Sequence, residues 1–240
     1  MKFNKIVIIF IVIFTLVFLV CVILLLKQWK ELNDNNTDIE ELAQNSFKEN
    51  EKTGEIEIDW DYLKSVNEDI VGWINIENTV INYPILKDNS NLYYLKYNYL
   101  KKYNSNGSII TLSNSTFCNS SETIIYGHNM ENGSMFSSLS NYLNENFLLS
   151  HQKIEIYTPY ANYEGIIFSA YTDSVLEEES ISNLSFSEKI EHYISKSEVN
   201  INDISIKEKV IKLITCSYIN ATTNPTNQRY YIIATLNEVE

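Results

Sequence analysis

Lys212-Leu-Ile-Thr-Cys-Ser-Tyr218 is an apolar, β-branched run that closes on a thiol, and after it comes Gln228-Arg-Tyr-Tyr-Ile-Ile-Ala-Thr-Leu236. Both runs read as strands. Cys216 ends the first and Arg229 opens the second. Of the 18 basic residues in the 240-residue chain, Arg229 is the sole arginine. If the two strands are antiparallel neighbours, the end of one faces the start of the other about 5 Å away across the ladder. Thiol and guanidinium then share one rim. The connection from Ser217 to Gln228 exceeds the two to five residues of a plain hairpin and is polar, which suits a segment that walls a cleft and touches substrate.

Outward from this pair, the pattern is one of short strands separated by turn-formers. They fall at residues 72 to 76, 80 to 86, 108 to 112, 123 to 126, 153 to 158, 163 to 171, 209 to 215 and 229 to 236. Eight candidate strands predict a mainly β fold closed, or nearly closed, into a barrel. Asp59 is placed to cap a helix bearing Trp60, Leu63, Val66 and Ile70 on one face. Ser185 and Glu188 form a capping box ahead of Ile190, Tyr193 and Ile194. Met135, Phe136, Leu139, Tyr142 and Leu143 fit one face of a further helix.

The first 26 residues stand apart. From Ile6 to Leu26 there is no charge, and Thr15 is the one polar side chain apart from the Cys21 thiol. About 20 such residues cross a bilayer core, whereas a cleavable signal has a shorter apolar stretch ending in small residues. The segment is expected to be a signal anchor, with residues 1 to 5 as a short cytoplasmic end. Residues 27 to 58 are polar and acidic and read as a juxtamembrane linker, a stalk or frayed helix, before a folded domain spanning 59 to 240. Residues 31 to 240 carry 14 basic and 31 acidic residues, a formal charge of −17. That balance repels phosphate backbones and argues against nucleic acid as a partner.

Three histidines compete to serve a nucleophilic thiol. His192 lies near Glu188 and Glu191 on the amphipathic helix and reads as solvated, while His151 precedes a strand and reads as a cap or loop contact. His128, in Tyr126-Gly-His-Asn-Met130, is presented from a strand end on a turn, where catalytic groups concentrate. An ordinary thiol, pKa ~8.5, is only a few per cent thiolate at neutral pH, and a neighbouring cation raises that fraction. The histidines and cysteines lack the spacing of a zinc site, so no metal or other cofactor is expected.

Together Tyr126-Gly-His-Asn-Met130, Gly133-Ser-Met-Phe136, Leu213-Ile-Thr-Cys216 and the arginine that opens the last strand resemble a sortase of class B, over roughly residues 59 to 236. The resemblance extends to Val71-Gly-Trp-Ile74 after the opening helix and to Asn82-Tyr-Pro-Ile85. It implies the eight-stranded sortase barrel with an N-terminal helix and a helix before the cysteine strand, and it makes His128, Cys216 and Arg229 the catalytic residues. The implied activity is that of a cysteine transpeptidase, classed with the cysteine endopeptidases and anchored outside a Gram-positive cell. It would cut an Asn-Pro-x-Thr-like sorting signal of secreted surface proteins after threonine, hold the acyl group on Cys216, and pass it to a cell-wall peptide amine of a peptidoglycan precursor or cross-bridge.

Three positions depart from the family pattern. Lys212 stands where the signature commonly begins with threonine, at a position read as peripheral. Leu112 stands where an aspartate often closes the strand, which removes a supporting hydrogen bond. The loop from Ser217 to Gln228 is long. Cys118 belongs to no motif and reads as a free or semi-buried thiol. Two other functions fit the residues: a cysteine endopeptidase with water as acceptor, and a silent wall-binding β-domain stapled by a Cys118–Cys216 disulfide.

Overall fold

The computed structural model describes residues 5–49, 56–89, 92–112, 117–201, 205–206, 208–219 and 226–239. In chain order its elements are α1 (Lys5–Ser46), β1 (Phe47–Glu49), β2 (Ile56–Ile58), α2 (Trp60–Val66), β3 (Ile70–Asn75), β4 (Asn82–Asp88), β5 (Ile109–Leu112) and β6 (Glu122–Tyr126). Then follow α3 (Glu145–Ser150), β7 (Lys153–Tyr157), β8 (Asn162–Ser174), α4 (Glu177–Ser180), α5 (Phe186–Lys196), β9 (Val210–Ser217), β10 (Gln228–Thr235) and β11 (Asn237–Val239).

Eight strands close on themselves in the order β10-β9-β6-β5-β4-β3-β7-β8, and β8 pairs back onto β10. The barrel read from the eight apolar runs is therefore the observed fold. β4–β5 and β6–β9 are the parallel pairs, and the remaining ring contacts are antiparallel. The seam is made by β8, whose 13 residues serve different neighbours along its length. Residues 162 to 166 pair with β7, residues 167 to 174 pair with β10, and β11 adds on beside 162 to 164. The handover falls at Gly165, where a Cβ would sit 2.3 Å from the Thr235 carbonyl oxygen. Only glycine lets the two backbones approach this closely.

Strands β6, β9 and β10 are covered on both faces, which is why they read as near-continuous apolar runs instead of alternating ones. Ile125, Ile211, Leu213, Ile232 and Ala234 share one face and belong to the main buried core, which also holds Trp73, Ile74 and Phe136. Ile214, Tyr231 and Ile233 pack on the other face against Ile181 and Tyr193, with Phe186 and Ile190 beside them. A helix with one apolar stripe thus roofs part of the barrel's outside.

Local chemistry explains the helix starts. The Asp59 carboxylate accepts from the Tyr62 N–H, and Ser185 with Glu188 forms the expected reciprocal box. Residues 137 to 143 form a 3-10 helix and not an α-helix, though Phe136, Leu139 and Tyr142 are fully buried as their spacing implies. Within the acidic stretch after residue 27, Ile39 and Leu42 are buried in the main core and the Asp38 carbonyl accepts from the Tyr99 hydroxyl. Ile39, Leu42 and Ala43 share one helix face. Residues Lys5–Lys27 of α1 are long and apolar enough to cross a membrane, and none of that stretch is buried against the barrel.

Candidate active site

The register of the last two long strands answers where the thiol and the guanidinium lie. Cys216 and Arg229 are direct partners in the β9–β10 ladder. β6 runs parallel to β9 on the other side, with Tyr126 opposite Ile214, and the chain leaving β6 is tied to the end of β9 by three bonds. The Gly127 N–H donates to the Ile214 carbonyl at 3.1 Å, the Thr215 hydroxyl donates to the Gly127 carbonyl at 2.7 Å, and the Asn129 side chain donates to the Cys216 carbonyl at 2.8 Å. His128, between these anchors, is held next to Cys216.

All three residues line one cavity of about 350 Å³. Leu92, Leu95, Ile110, Leu112, Val175, Ile214 and Tyr231 supply its apolar walls. Such a cleft, mostly apolar with a few convergent reactive groups, is the usual form of a substrate site. A second cavity of about 360 Å³, lined by Ile39, Glu40, Val80, Tyr83 and the 132 to 134 turn, contains no thiol, imidazole or cation. Residues 220 to 225, half of the suspected substrate loop from Ser217 to Gln228, lie outside the described residues.

The Cys216 thiol is free and half-buried. The Arg229 guanidinium donates to two carbonyls, of Thr226 at 3.0 Å and Gln228 at 2.8 Å, and among the described residues it meets no carboxylate. Asp173, its ladder partner on β8, is engaged instead by Lys196 at 2.6 Å. The Nε2 of His128 lies 2.9 Å from the Leu95 carbonyl oxygen. Leu112, where the family pattern leads one to expect a carboxylate, only lines the cavity wall.

The other sequence candidates fall elsewhere. His151 is the C-cap of α3, its Nδ1 beside the Phe147 carbonyl and its ring stacked on Phe147. His192 corrects the solvated reading: its Nε2 bonds the buried Glu177 carboxylate, which also accepts from the Tyr171 hydroxyl. Among the described residues no cluster of three or more metal-ligating side chains occurs.

Lys212 is the larger correction. Far from peripheral, it is 0% exposed, four residues before Cys216 on the same face of β9. Its ammonium lies 3.1 Å from the Glu122 carboxylate and 4.7 Å above the Tyr193 ring. Glu122 also receives Lys189 at 2.8 Å and the Tyr193 hydroxyl. Burial alone raises the Glu122 carboxyl, but the two lysines and the phenol outweigh it and hold the group below its usual range.

Cys118 is free and wholly buried, and burial pushes its thiol up to about 12. Its carbonyl accepts from Lys209, just before β9, while Cys216 lies near the far end of that strand. At ~3.3 Å per residue the two cysteines are separated by about 20 Å. A disulfide needs Cα atoms within about 7 Å, so the stapled-domain reading is excluded.

A closed eight-stranded barrel with thiol, imidazole and guanidinium at one mouth has the design of a cysteine transpeptidase. Comparison with known proteins names the family. The Sortase domain model matches residues 74–237. Sortase B of Listeria monocytogenes serovar 1/2a is 36% identical over 169 residues, covering 68% of this chain and 69% of that protein. Among solved structures, a Staphylococcus aureus sortase B–substrate complex aligns with TM-score 0.67 at 27% identity, covering 75% of this chain and 85% of that one. A sortase B complexed with triglycine aligns with TM-score 0.67 at 28% identity, covering 75% of this chain and 86% of that one. The chain belongs to the sortase family, and its relatives are of the sortase B kind.

Proposed function

We propose that the chain is a membrane-anchored sortase whose nucleophile is Cys216, with His128 as the proton-transfer group and Arg229 as the positioning cation. The observation that carries this reading is the direct pairing of Cys216 with Arg229 while the His128 loop is bonded to the same strand end. The Cys216 thiolate attacks the acyl carbon of the scissile peptide bond, and the C–N bond breaks as His128 protonates the leaving amine. An incoming amine gives up a proton to His128 and takes the acyl group from sulfur. Arg229 has spare donors in a fixed planar fork, suited to hold substrate carbonyls or the oxyanion formed between these steps.

The substrate is a sorting signal of the Asn-Pro-x-Thr kind on secreted surface proteins, cut after threonine, and the acceptor is a cell-wall peptide amine. The substrate complex and the triglycine complex of related sortase B enzymes support an extended peptide donor and an amine acceptor. The apolar stretch from Lys5 to Lys27 serves as the anchor, with the barrel on the wall side.

Incubating the full chain with a library of candidate signal peptides and trapping the adduct for mass spectrometry tests the reading. A thioacyl mass on Cys216 that is released as an amide when an amine is added is the expected result. Cleavage that persists in Cys216→Ala would reject the nucleophile, and hydrolysis unchanged by the amine would make the chain an endopeptidase.

A further inference from the structure

The imidazole of a proton-transfer histidine needs one nitrogen anchored so that the other is free to exchange its proton. In this molecule the anchor is a backbone carbonyl. Nε2 of His128 lies 2.9 Å from the Leu95 oxygen, and among the described residues the ring has no other hydrogen-bond partner. A carbonyl oxygen only accepts, so Nε2 must carry the hydrogen whether the ring is neutral or charged. The lone pair of the neutral ring is then on Nδ1.

The carbonyl is itself built in. Leu95 ends a short 3-10 turn, Tyr93–Leu95, that leads from β4 toward β5. The turn is fastened at its start by the buried Asp88 carboxylate, which accepts from the Tyr94 N–H at 2.9 Å. Tyr94 is fastened in turn: its hydroxyl donates to Asp69 at 2.6 Å and its carbonyl accepts from the Ser108 N–H at 2.8 Å. Behind the Leu95 carbonyl stands Gly107, at φ +57°, where a Cβ would meet the Leu95 oxygen at 2.6 Å and its carbon at 2.8 Å. Both contacts are with backbone, which cannot rotate away. Asp88 is also the ladder partner of Leu112, so a carboxylate does stand beside this position, acting on the turn and not on the ring.

Building on the role proposed above for His128, we infer that the Leu95 carbonyl, held by Asp88 and given room by Gly107, fixes the His128 tautomer, making Nδ1 the atom that exchanges protons with the two amines. In the first half-reaction the Nδ1–H bond breaks as the leaving nitrogen gains that hydrogen. In the second the incoming amine loses a hydrogen to Nδ1, restoring the imidazolium, and Nε2–H stays on Leu95 throughout. Asp88 and Gly107 are positioning residues.

The test is two-bond nitrogen–proton correlation NMR of the full chain in detergent, with labelled histidine and with His151 and His192 assigned by single substitution to glutamine. The expected spectrum of the neutral ring has His128 protonated on Nε2 and bare on Nδ1. Gly107→Ala should mix the two tautomers, move the limb of the kcat pH profile that reports His128, and lower kcat by ~10- to 100-fold with KM nearly unchanged. Asp88→Ala should do the same, and Asp88→Asn, which keeps an acceptor oxygen, should restore the wild-type spectrum and profile. An Nδ1–H tautomer in the wild type overturns the inference, as does a folded Gly107→Ala with an unaltered His128 spectrum. Should Gly107→Ala fail to fold, the wild-type spectrum and the Asp88 pair decide. The spectrum does not depend on turnover, so it stands apart from the activity of His128→Ala, whose retention would instead remove the catalytic role.

Discussion

Two cations are attached to neighbouring strands of the barrel and live in opposite circumstances. Lys212, in the middle of β9, is sealed from water and matched to a carboxylate that two other donors also serve. Arg229, at the start of β10, has the carbonyls of Thr226 and Gln228 as partners, and the acid opposite it belongs to Lys196. The matched charge holds the roof helix α5 to the strands beneath. The Arg229 charge, which meets no carboxylate among the described residues and stands beside a thiol in a largely apolar cleft, keeps its field for whatever anion forms there. Where the counter-ion sits tells a structural cation from a working one.

The strongest way to break this contrast is at the thiol it depends on. Cys216→Ala should reduce peptide cleavage to background while leaving the circular dichroism spectrum unchanged. Arg229→Lys keeps the charge but loses the planar fork, and kcat/KM for a signal peptide should fall by ~10²-fold, as for loss of an oxyanion donor. A loss below about fivefold would mean that charge alone suffices.

At the other cation the effect should appear in stability. Lys212→Met takes away one of the three donors to the Glu122 carboxylate, leaving Lys189 and the Tyr193 hydroxyl, and should cost about 1–3 kcal/mol, a fall in Tm of roughly 3–10 °C, whereas Lys212→Met with Glu122→Leu should recover part of it. A smaller effect concerns pH. The folded pKa of Glu122 is depressed, so its contribution is present above the ordinary value of 4.5 and is lost as pH falls through the folded value. Thermal melts below pH 4.5 should therefore fall more steeply for the wild type than for the Lys212→Met/Glu122→Leu pair. The smallest expected effect is at Cys118. With its thiol at about 12, iodoacetamide at about pH 8 should label Cys216 first, and Cys118→Ala should leave turnover within about twofold.

Much of this is legible in the sequence because the signals are local. Eight apolar runs, two caps and the ends of three strands carry the barrel and its mouth, and a strand-end residue points to a rim whatever its neighbour proves to be. Lys212 misleads because its explanation, Glu122, lies 90 residues earlier and meets it only through the parallel β6–β9 pairing. His192 misleads for the same reason: Glu188 and Glu191 are near in sequence, but Glu177 is the acid that folds against it. The Leu95 carbonyl that takes up His128 has no signature at all, since every residue has one. The 3-10 form of residues 137 to 143 is hidden too, because its apolar spacing is shared with an α-helix.

The parallel β6–β9 pairing has one more consequence. His128 and Cys216 are 88 residues apart in sequence, and the strand bearing Arg229 is the last of the closed ring. Contacts that span this much chain form late and slowly. Until that pairing forms, sulfur and imidazole are strangers. On the roles proposed for these residues, the molecule has no means of cutting its neighbours, or itself, before the final staves are seated.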